Sequence, residues 1–375
     1  MQYREYGKTG VKVSPIGFGM MRLPADSDGN VDEARAVSML RAAIDNGLNY
    51  VDTAFNYHNG NSEKITGKAL LDGYREKVFL ATKAPAWMFK SGDDFDTILD
   101  KQLSRLQTDH IDFYLLHAMN AIAFEKKVLR YGVMERLEAA KAAGKIKYIG
   151  FSFHDKLDVF KNICDSYNWD FCQIQYNYMD RDIQAGDRGY ELARKMGIPM
   201  IVMEPVKGGM LSGLPKEAQA ILEEADPERS PASWALRWVG SHPGVKLVLS
   251  GMSSEEQLED NIRTFSPFVP LGTQEEEVIG QAAKAIRARL KNNCTACRYC
   301  MPCPAGVDIP GNFAIWNEGA MYDIEEKARK AFKEKQEAGA DAGLCIQCGK
   351  CEKVCPQGIG IRKDLADVVK DLSAL

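Results

Sequence analysis

No run of apolar residues in this 375-residue sequence approaches the roughly 18 that a membrane-spanning helix requires, so no membrane partner is expected. The opening stretch, MQYREYGKTG, carries charge and lacks the apolar core of a secretory leader, which points to a cytoplasmic location. An excess of one charge is missing too. With 48 basic and 52 acidic residues the formal net charge is −4, which gives nucleic acid no electrostatic foothold. The 45% hydrophobic and 27% charged content is ordinary for a folded chain and excludes disordered or collagen-like classes. The length exceeds what one core needs, and one large domain plus a smaller one fits. Cysteine is the scarcest feature of the chain's body: of ten in all, only Cys164 and Cys172 precede residue 294. Both lie in mixed apolar surroundings and read as small core residues.

What is present is an alternation of β-rich and amphipathic segments. Strands are expected near Pro15–Met20, Asn49–Asp52, Val78–Lys83, Ile111–His117, Ile146–Phe151, Phe171–Gln175, Ile198–Glu204 and Val245–Ser250. Helical periodicity follows each, over Asp32–Asn46, Ser62–Leu71, Asp93–Leu106, Phe124–Ala143, Lys156–Asp165, Ala185–Met196, Pro231–Val239 and Glu255–Ile262. Asp32, Ser62 and Asp93 look like N-caps, and Gly47, Gly144 and Gly197 stand where helices should stop. Eight βα units in this span match a (β/α)8 TIM barrel. The rival, an open doubly wound sheet, would need GxGxxG, but Arg22 occupies the third glycine position after Gly17 and Gly19. Residues 2–7 and 11–13 flank Lys8-Thr9-Gly10 as a small N-terminal β-hairpin. The expected division is a barrel over 1–270, then a linker helix (Glu275–Leu290) and a small C-terminal domain over 271–375. That domain also holds a charged helix near Asp323–Ala338.

In such a barrel, polar residues at the C-terminal ends of strands are the functional candidates. Here the second strand ends in Asp52 and runs on to Tyr57, the third ends in Lys83, and the fourth in His117. An acid, a phenol, an amine and an imidazole on successive strands suit carbonyl reduction. Charge building on a carbonyl oxygen needs a positioned proton donor, and Tyr57 is that candidate. A cation beside it lowers the phenol's pKa from about 10, which is the role expected of Lys83. Asp52 would fix Lys83, and His117 would orient the carbonyl.

These four residues match the catalytic tetrad of the aldo/keto reductase family in order, type and approximate spacing. YGKTGVKVSPIGFGMMRLP, KIKYIGFS and GMSSEEQLEDNI also resemble family segments. The likeness covers roughly residues 2–265 and implies an NADP- or NAD-dependent oxidoreductase that reduces a small-molecule carbonyl or oxidises an alcohol. It places the cofactor on Gly19, Met20, Ser152, Gln173, Met203, Lys207, Gly208, Gly209 and Leu211, with Ser250, Gly251, Ser253, Gln257 and Asn261 at the adenosine end. Phe153 stands where the family usually has Asn, Met203 where an aromatic often stacks, and Gly251 and Gln257 where bases often meet a 2′-phosphate. Trp87, Met88, Met119, Asn120, His154 and Tyr178 are the expected walls of the substrate pocket.

The remaining eight cysteines form two arrays. Cys345-x2-Cys348-x2-Cys351-x3-Cys355-Pro356 fits the bacterial ferredoxin run, and Cys294-x2-Cys297-x2-Cys300-x2-Cys303-Pro304 is one residue shorter at its last gap. In that run the fourth cysteine serves the other cluster, which pairs Cys294, Cys297, Cys300 and Cys355, and Cys345, Cys348, Cys351 and Cys303. Zinc would draw CxxC pairs from separated knuckles, whereas each array here is continuous and closed by Pro. A ferredoxin-like domain with two [4Fe–4S] clusters is therefore expected, and the whole resembles the aldo/keto reductases that carry such a tail. Hydride transfer moves two electrons and a cluster one. A flavin would bridge them; no flavin motif supports one, but a barrel can hold a flavin with little sequence trace, so it stays a possible cofactor. The clusters then relay electrons between the barrel and a carrier such as ferredoxin, or act as a structural or redox-sensing clamp. The third alternative is a non-catalytic nucleotide-binding redox regulator.

Overall fold

A computed structural model describes residues 1–7 and 9–373, so Lys8 of the expected hairpin turn lies outside the described residues. The chain divides into two compact units, Met1–Gly208 with Ala232–Thr273, and Gly209–Pro231 with Gln274–Leu375. The segment 209–231, read from the sequence as barrel, groups with the tail.

In the first unit, β1 (Arg4–Glu5) and β2 (Lys12–Val13) pair antiparallel. Eight parallel strands then close a barrel: β3 (Ile16–Gly19), β4 (Tyr50–Asp52), β5 (Phe79–Ala84), β6 (Ile111–Met119), β7 (Ile146–Phe153), β8 (Phe171–Gln175), β9 (Met200–Met203) and β10 (Val245–Ser250). Each strand follows its neighbour in chain order, and β10 returns to β3. The side-chain period of two sorts residues by height and face. Tyr50, Ala81, Phe113, Leu115, Phe171, Ile201, Leu247 and Leu249 form one interior cluster, which Tyr6 and Val13 of the hairpin join. Phe113 is its hub, with the rings of Tyr6, Tyr50, Phe171 and Tyr148 at centroid distances of 5.0–5.2 Å. Two residues farther along, the same alternation brings Asp52, Lys83, His117, Ser152, Gln173 and Met203 inward above this plug.

Asp32 caps the helix Glu33–Asp45 by accepting the Arg35 N–H. The other two expected caps fail. Ser62 is the second residue of the helix Asn61–Ala69, and its hydroxyl bonds the Met20 carbonyl and Thr53. Asp93 sits inside Asp93–Leu106 and pairs with Arg136, while Asp94 accepts the Lys90 and Ser91 N–H groups ahead of it. The helix read over Phe124–Ala143 is interrupted. A π-turn spans Phe124–Leu129, and the α-helix restarts at Val133 after Gly132, whose φ of +62° no helix interior accepts. Helices stop at Gly47, Gly144 and Gly197, all at positive φ.

The second unit is helical among its described residues. It contains Lys216–Ala225, Thr273–Arg287, Ile309–Tyr322, Glu325–Glu337 and Ile361–Ser373, of which the first, third and fifth were not anticipated. Val307, Phe313, Trp316, Phe332, Leu365 and Val368 make its core, and six of the cysteines pack partly buried against it.

One close approach in the barrel tests the layering. A Cβ on Gly150 would lie 2.6 Å from the Phe171 ring, which is wedged against Phe113. Gly150→Ala should therefore destabilise by about 1–3 kcal/mol through overpacking, seen as a fall of several °C in melting temperature. Gly150→Ala/Phe171→Leu should regain part of the loss. An unchanged melting temperature for the single variant would mean the aromatic plug is not close-packed.

Candidate active site and cysteine cavities

At the upper end of the barrel the Lys83 ammonium is fully buried and spends all three protons. It donates to Asp52 Oδ1 (2.6 Å), the Thr53 carbonyl (2.7 Å) and the Tyr57 hydroxyl (3.3 Å), and stands 4.8 Å from the centre of the Tyr57 ring. Burial works against the charge on Lys83, but Asp52 and Tyr57 outweigh it and raise its pKa. Burial likewise lifts the Asp52 carboxyl against the pull of Lys83. Asp52 Oδ2 is left without a partner.

Tyr57 departs from expectation. Burial raises its pKa, Lys83 pulls it back down, and burial prevails, so the phenol is held above its ordinary value rather than below it. The turn that presents it is unusual: His58, Asn59 and Gly60 all adopt positive φ, at +49°, +56° and +86°. Two such non-glycine residues cost of order 1–3 kcal/mol each and persist only where their surroundings impose them.

His117 stands at a bulge in β6, where the register shifts between Leu116 and Met119 and Ala118 takes φ +54°. Ser152 Oγ accepts the Ala118 N–H (2.8 Å) and holds the bulge. The His117 ring meets Tyr57 edge-on at 5.9 Å and Trp87 at 5.0 Å. Burial first, then Lys83 and His154, push its pKa well below the usual 6.5, so the imidazole is neutral, with Nδ1 unpartnered.

Other expected contacts are drawn together unevenly. Gln173 donates to Met203 Sδ (3.4 Å) and keeps Oε1 free. Met20 is buried, its N–H given to the Asp52 carbonyl, and a Cβ on Gly19 would face the Ser250 carbonyl at 3.3 Å. Asn261 donates to Ser250 Oγ (2.9 Å), and Gln257 accepts the Ser253 N–H. The Lys207 ammonium is taken by Asp180, in a nearly buried pair at 2.7 Å, and Gly208 follows at φ +63°. Gly209 and Leu211 fall in the second unit. Of the expected pocket walls, Trp87 and Met88 are open to solvent, Met119 is buried, and the hydroxyl of buried Tyr178 has no partner. The His154 N–H bonds the Met119 carbonyl. Asn120 spends its amide oxygen capping the Ala123 N–H.

Sequence reasoning missed two features. Arg22 packs its Cβ and Cγ against Gly251, where an added Cβ would meet them at 2.6 and 2.7 Å, and its charge acts on His58. Behind β5, fully buried Glu63 accepts from Thr82 (2.8 Å), Gln102 (2.6 Å) and Arg105 (2.9 Å). Gln102 also bonds the Lys83 carbonyl, and Arg105 the Phe55 carbonyl, two residues before Tyr57. No local pattern announces this network, because its members come from separate elements.

In the second unit the thiols surround two cavities. One, of about 210 Å³, is lined by Cys303, Cys345, Cys348 and Cys351, with Cys300 also on its wall. The other is lined by Cys294, Cys297, Cys300 and Cys355. Each has three thiols of one array and the last of the other. No three His, Cys, Asp or Glu side chains among the described residues converge tightly enough for a single metal ion. Thiolates ringing a void suit a cluster better than a lone ion.

The depressed His117 pKa has a measurable consequence. Below pH 6.5 the unfolded chain takes up a proton that the folded state refuses, so the stability is complete above that pH and is lost as pH falls towards the folded pKa. The slope is up to about 1.36 kcal/mol per pH unit for this one proton. Melting curves from pH 7 to pH 5 should show a shallower acid decline for His117→Gln by about that amount. Parallel declines would mean that His117 is protonated in the folded state.

Residues 15–284 match the aldo/keto reductase family, and residues 293–359 match a 4Fe-4S dicluster domain. The chain is 33% identical over 247 residues to methylglyoxal reductase YeaE of Escherichia coli, spanning 64% of this chain and 81% of that protein. It is 27% identical over 317 residues to L-galactose dehydrogenase of Arabidopsis thaliana, spanning 78% and 96%. Among solved structures, aldo-keto reductase AKR11C1 from Bacillus halodurans in its holo form superposes with a TM-score of 0.64 at 29% identity, covering 76% of this chain and 97% of that one. The closed barrel, its strand-end residues and these matches agree: this chain belongs to the aldo/keto reductase family, as an oxidoreductase that carries a C-terminal 4Fe-4S dicluster domain.

Proposed function

We propose that the barrel reduces a small carbonyl with NADPH or NADH, or runs the reverse oxidation, and that two [4Fe–4S] clusters in the tail exchange electrons with it. The observation that carries the first part is the buried Asp52–Lys83–Tyr57 chain of hydrogen bonds beside a neutral His117. The nicotinamide supplies the hydride when bound. The protein's own residues do the rest. Tyr57 holds the proton at its hydroxyl, ready for the carbonyl oxygen as negative charge develops there. Lys83 stabilises the phenolate that remains, which offsets the penalty burial places on it. The neutral imidazole of His117 contributes a hydrogen bond and orients the oxygen, since it carries no spare proton at neutral pH. Ser152 and the unpartnered Gln173 Oε1 are disposed to hold the carboxamide. Relatives named a methylglyoxal reductase and an L-galactose dehydrogenase support a small carbonyl or alcohol as substrate.

Tyr57→Phe should cut nucleotide-driven carbonyl reduction by about 10²-fold or more while leaving nucleotide binding intact by fluorescence titration. Turnover near the parent's level would remove Tyr57 from the mechanism.

The tail reading rests on the two thiol-lined cavities. Their cysteines would hold the clusters as thiolates, which supply one-electron chemistry. Anaerobically purified protein should contain about eight iron and eight sulfide per chain, as two cubanes require, and should bleach with dithionite. About two zinc ions and no iron would sink the assignment.

A further inference from the structure

The larger cysteine cavity is ringed by side chains that a self-sufficient fold would bury. Tyr299, Ile346 and Val354 all line it, and they are 69%, 66% and 52% exposed. Exposed apolar groups scattered singly need no explanation, but three around one thiol-lined void form a patch, and such patches mark contact surfaces. The charges are equally one-sided. The charged side chains on the walls of the two cysteine cavities, apart from the thiols themselves, are Arg298, Lys350 and Arg362, and no carboxylate lines either one. Arg362 is engaged by Glu352 at 2.9 Å and Arg298 by Asp308 at 3.9 Å, so the unopposed wall charge is that of Lys350. Lys350 and its near neighbour Lys353 are exposed, with no ion pair among the described residues. The patch thus has an apolar centre and a cationic rim, the composition of a small transient interface. It is positive although the whole chain carries a net charge of −4, so the sign is local.

We infer that this patch docks an acidic one-electron carrier protein, with its redox group brought against the cavity of Cys303, Cys345, Cys348 and Cys351. The inference rests on the proposal that the clusters exchange electrons. The step balances simply: one electron leaves the reduced carrier and enters the cluster, no bond forms or breaks, and no proton moves. Two such transfers equal the electron count of one hydride. Electrostatic complementarity in such pairs governs encounter more than final affinity, so the contact is sensitive to salt.

The test uses anaerobically prepared full-length holoprotein and an acidic bacterial 2[4Fe–4S] ferredoxin as probe, with binding followed by calorimetry. Raising salt from about 0.1 M to about 1 M, which shortens the Debye length from about 10 Å to about 3 Å, should weaken binding at least tenfold. The variants K350E/K353E and I346S should each bind the ferredoxin at least tenfold more weakly, with iron content and dithionite bleaching equal to the parent's. Should K350E/K353E lose iron, K350Q/K353Q gives the same comparison without added carboxylates. Binding that ignores both salt and these substitutions, or no binding at low salt, overturns the docking surface. Self-association of the chain through the patch at low salt, displacing the ferredoxin, overturns it in favour of a second copy. Clusters that never bleach with dithionite instead refute the electron-exchange reading beneath it, whereas bleaching without ferredoxin binding refutes the docking inference alone.

Discussion

A lysine ammonium with no exposure to water exists only where every proton has an acceptor, and that condition governs the upper end of this barrel. Lys83 meets it with a carboxylate from β4, a carbonyl just beyond that strand, and a phenol from the turn that follows. Deleting one partner of such a pair typically costs about 3–5 kcal/mol, because the other charge stays buried. The ends of β4 and β5 and the Tyr57 turn are therefore tied into a single geometry. The alternate face of β5 is held as firmly. Thr82 points away from the barrel axis into the Glu63–Gln102–Arg105 network, and Gln102 grips the carbonyl of Lys83 itself. One ion pair above the strand and one buried carboxylate behind it fix where the ammonium can stand.

The division of labour along the barrel axis follows from the same alternation. Inward positions in the lower layers carry Tyr50, Phe113, Phe171 and Leu247, which exclude water by packing. One step higher the inward residues are Asp52, Lys83, His117, Ser152 and Gln173. The hydrophobic plug is what makes the polar layer chemically consequential. It denies these groups solvent from below, and burial heads the causes of the shifted pKa values of Asp52, Tyr57 and His117.

Much of this was legible in sequence because strand ends are conspicuous. Asp52, Lys83 and His117 each follow a short apolar run, and a period of two sends them to the same face as the core residues below. What stayed hidden depends on long-range partners. Glu63 and Gln102 look like surface residues of amphipathic helices until Thr82 and Arg105 meet them. Ser62 has the chemistry of a cap but spends its hydroxyl on Met20 and Thr53. The break at Gly132 escaped because apolar spacing continues across it, and the helix Ile309–Tyr322 escaped because it is buried on more than one side and so lacks an amphipathic signature. The cysteine arrays were legible by spacing alone, but that their thiols ring two cavities is a property of the fold.

Tyr57 carries the remaining tension. Burial opposes its phenolate, yet the proposed chemistry needs a hydroxyl willing to part with a proton near neutrality. Lys83 alone does not close that gap, since burial still prevails over it. A cationic group bound beside Tyr57 would add to the pull of Lys83, and an oxidised nicotinamide, if the barrel holds one there, would supply charge of that sign. The proton donor would then be strongest at the moment its proton is wanted, and weak in the free enzyme, where an ionised phenolate beside a buried lysine would serve nothing. The unpartnered Asp52 Oδ2 fits the same economy of charge. It leaves the carboxylate bound to Lys83 at one oxygen only, so the lysine keeps a proton directed at Tyr57 instead of closing into a two-pronged pair.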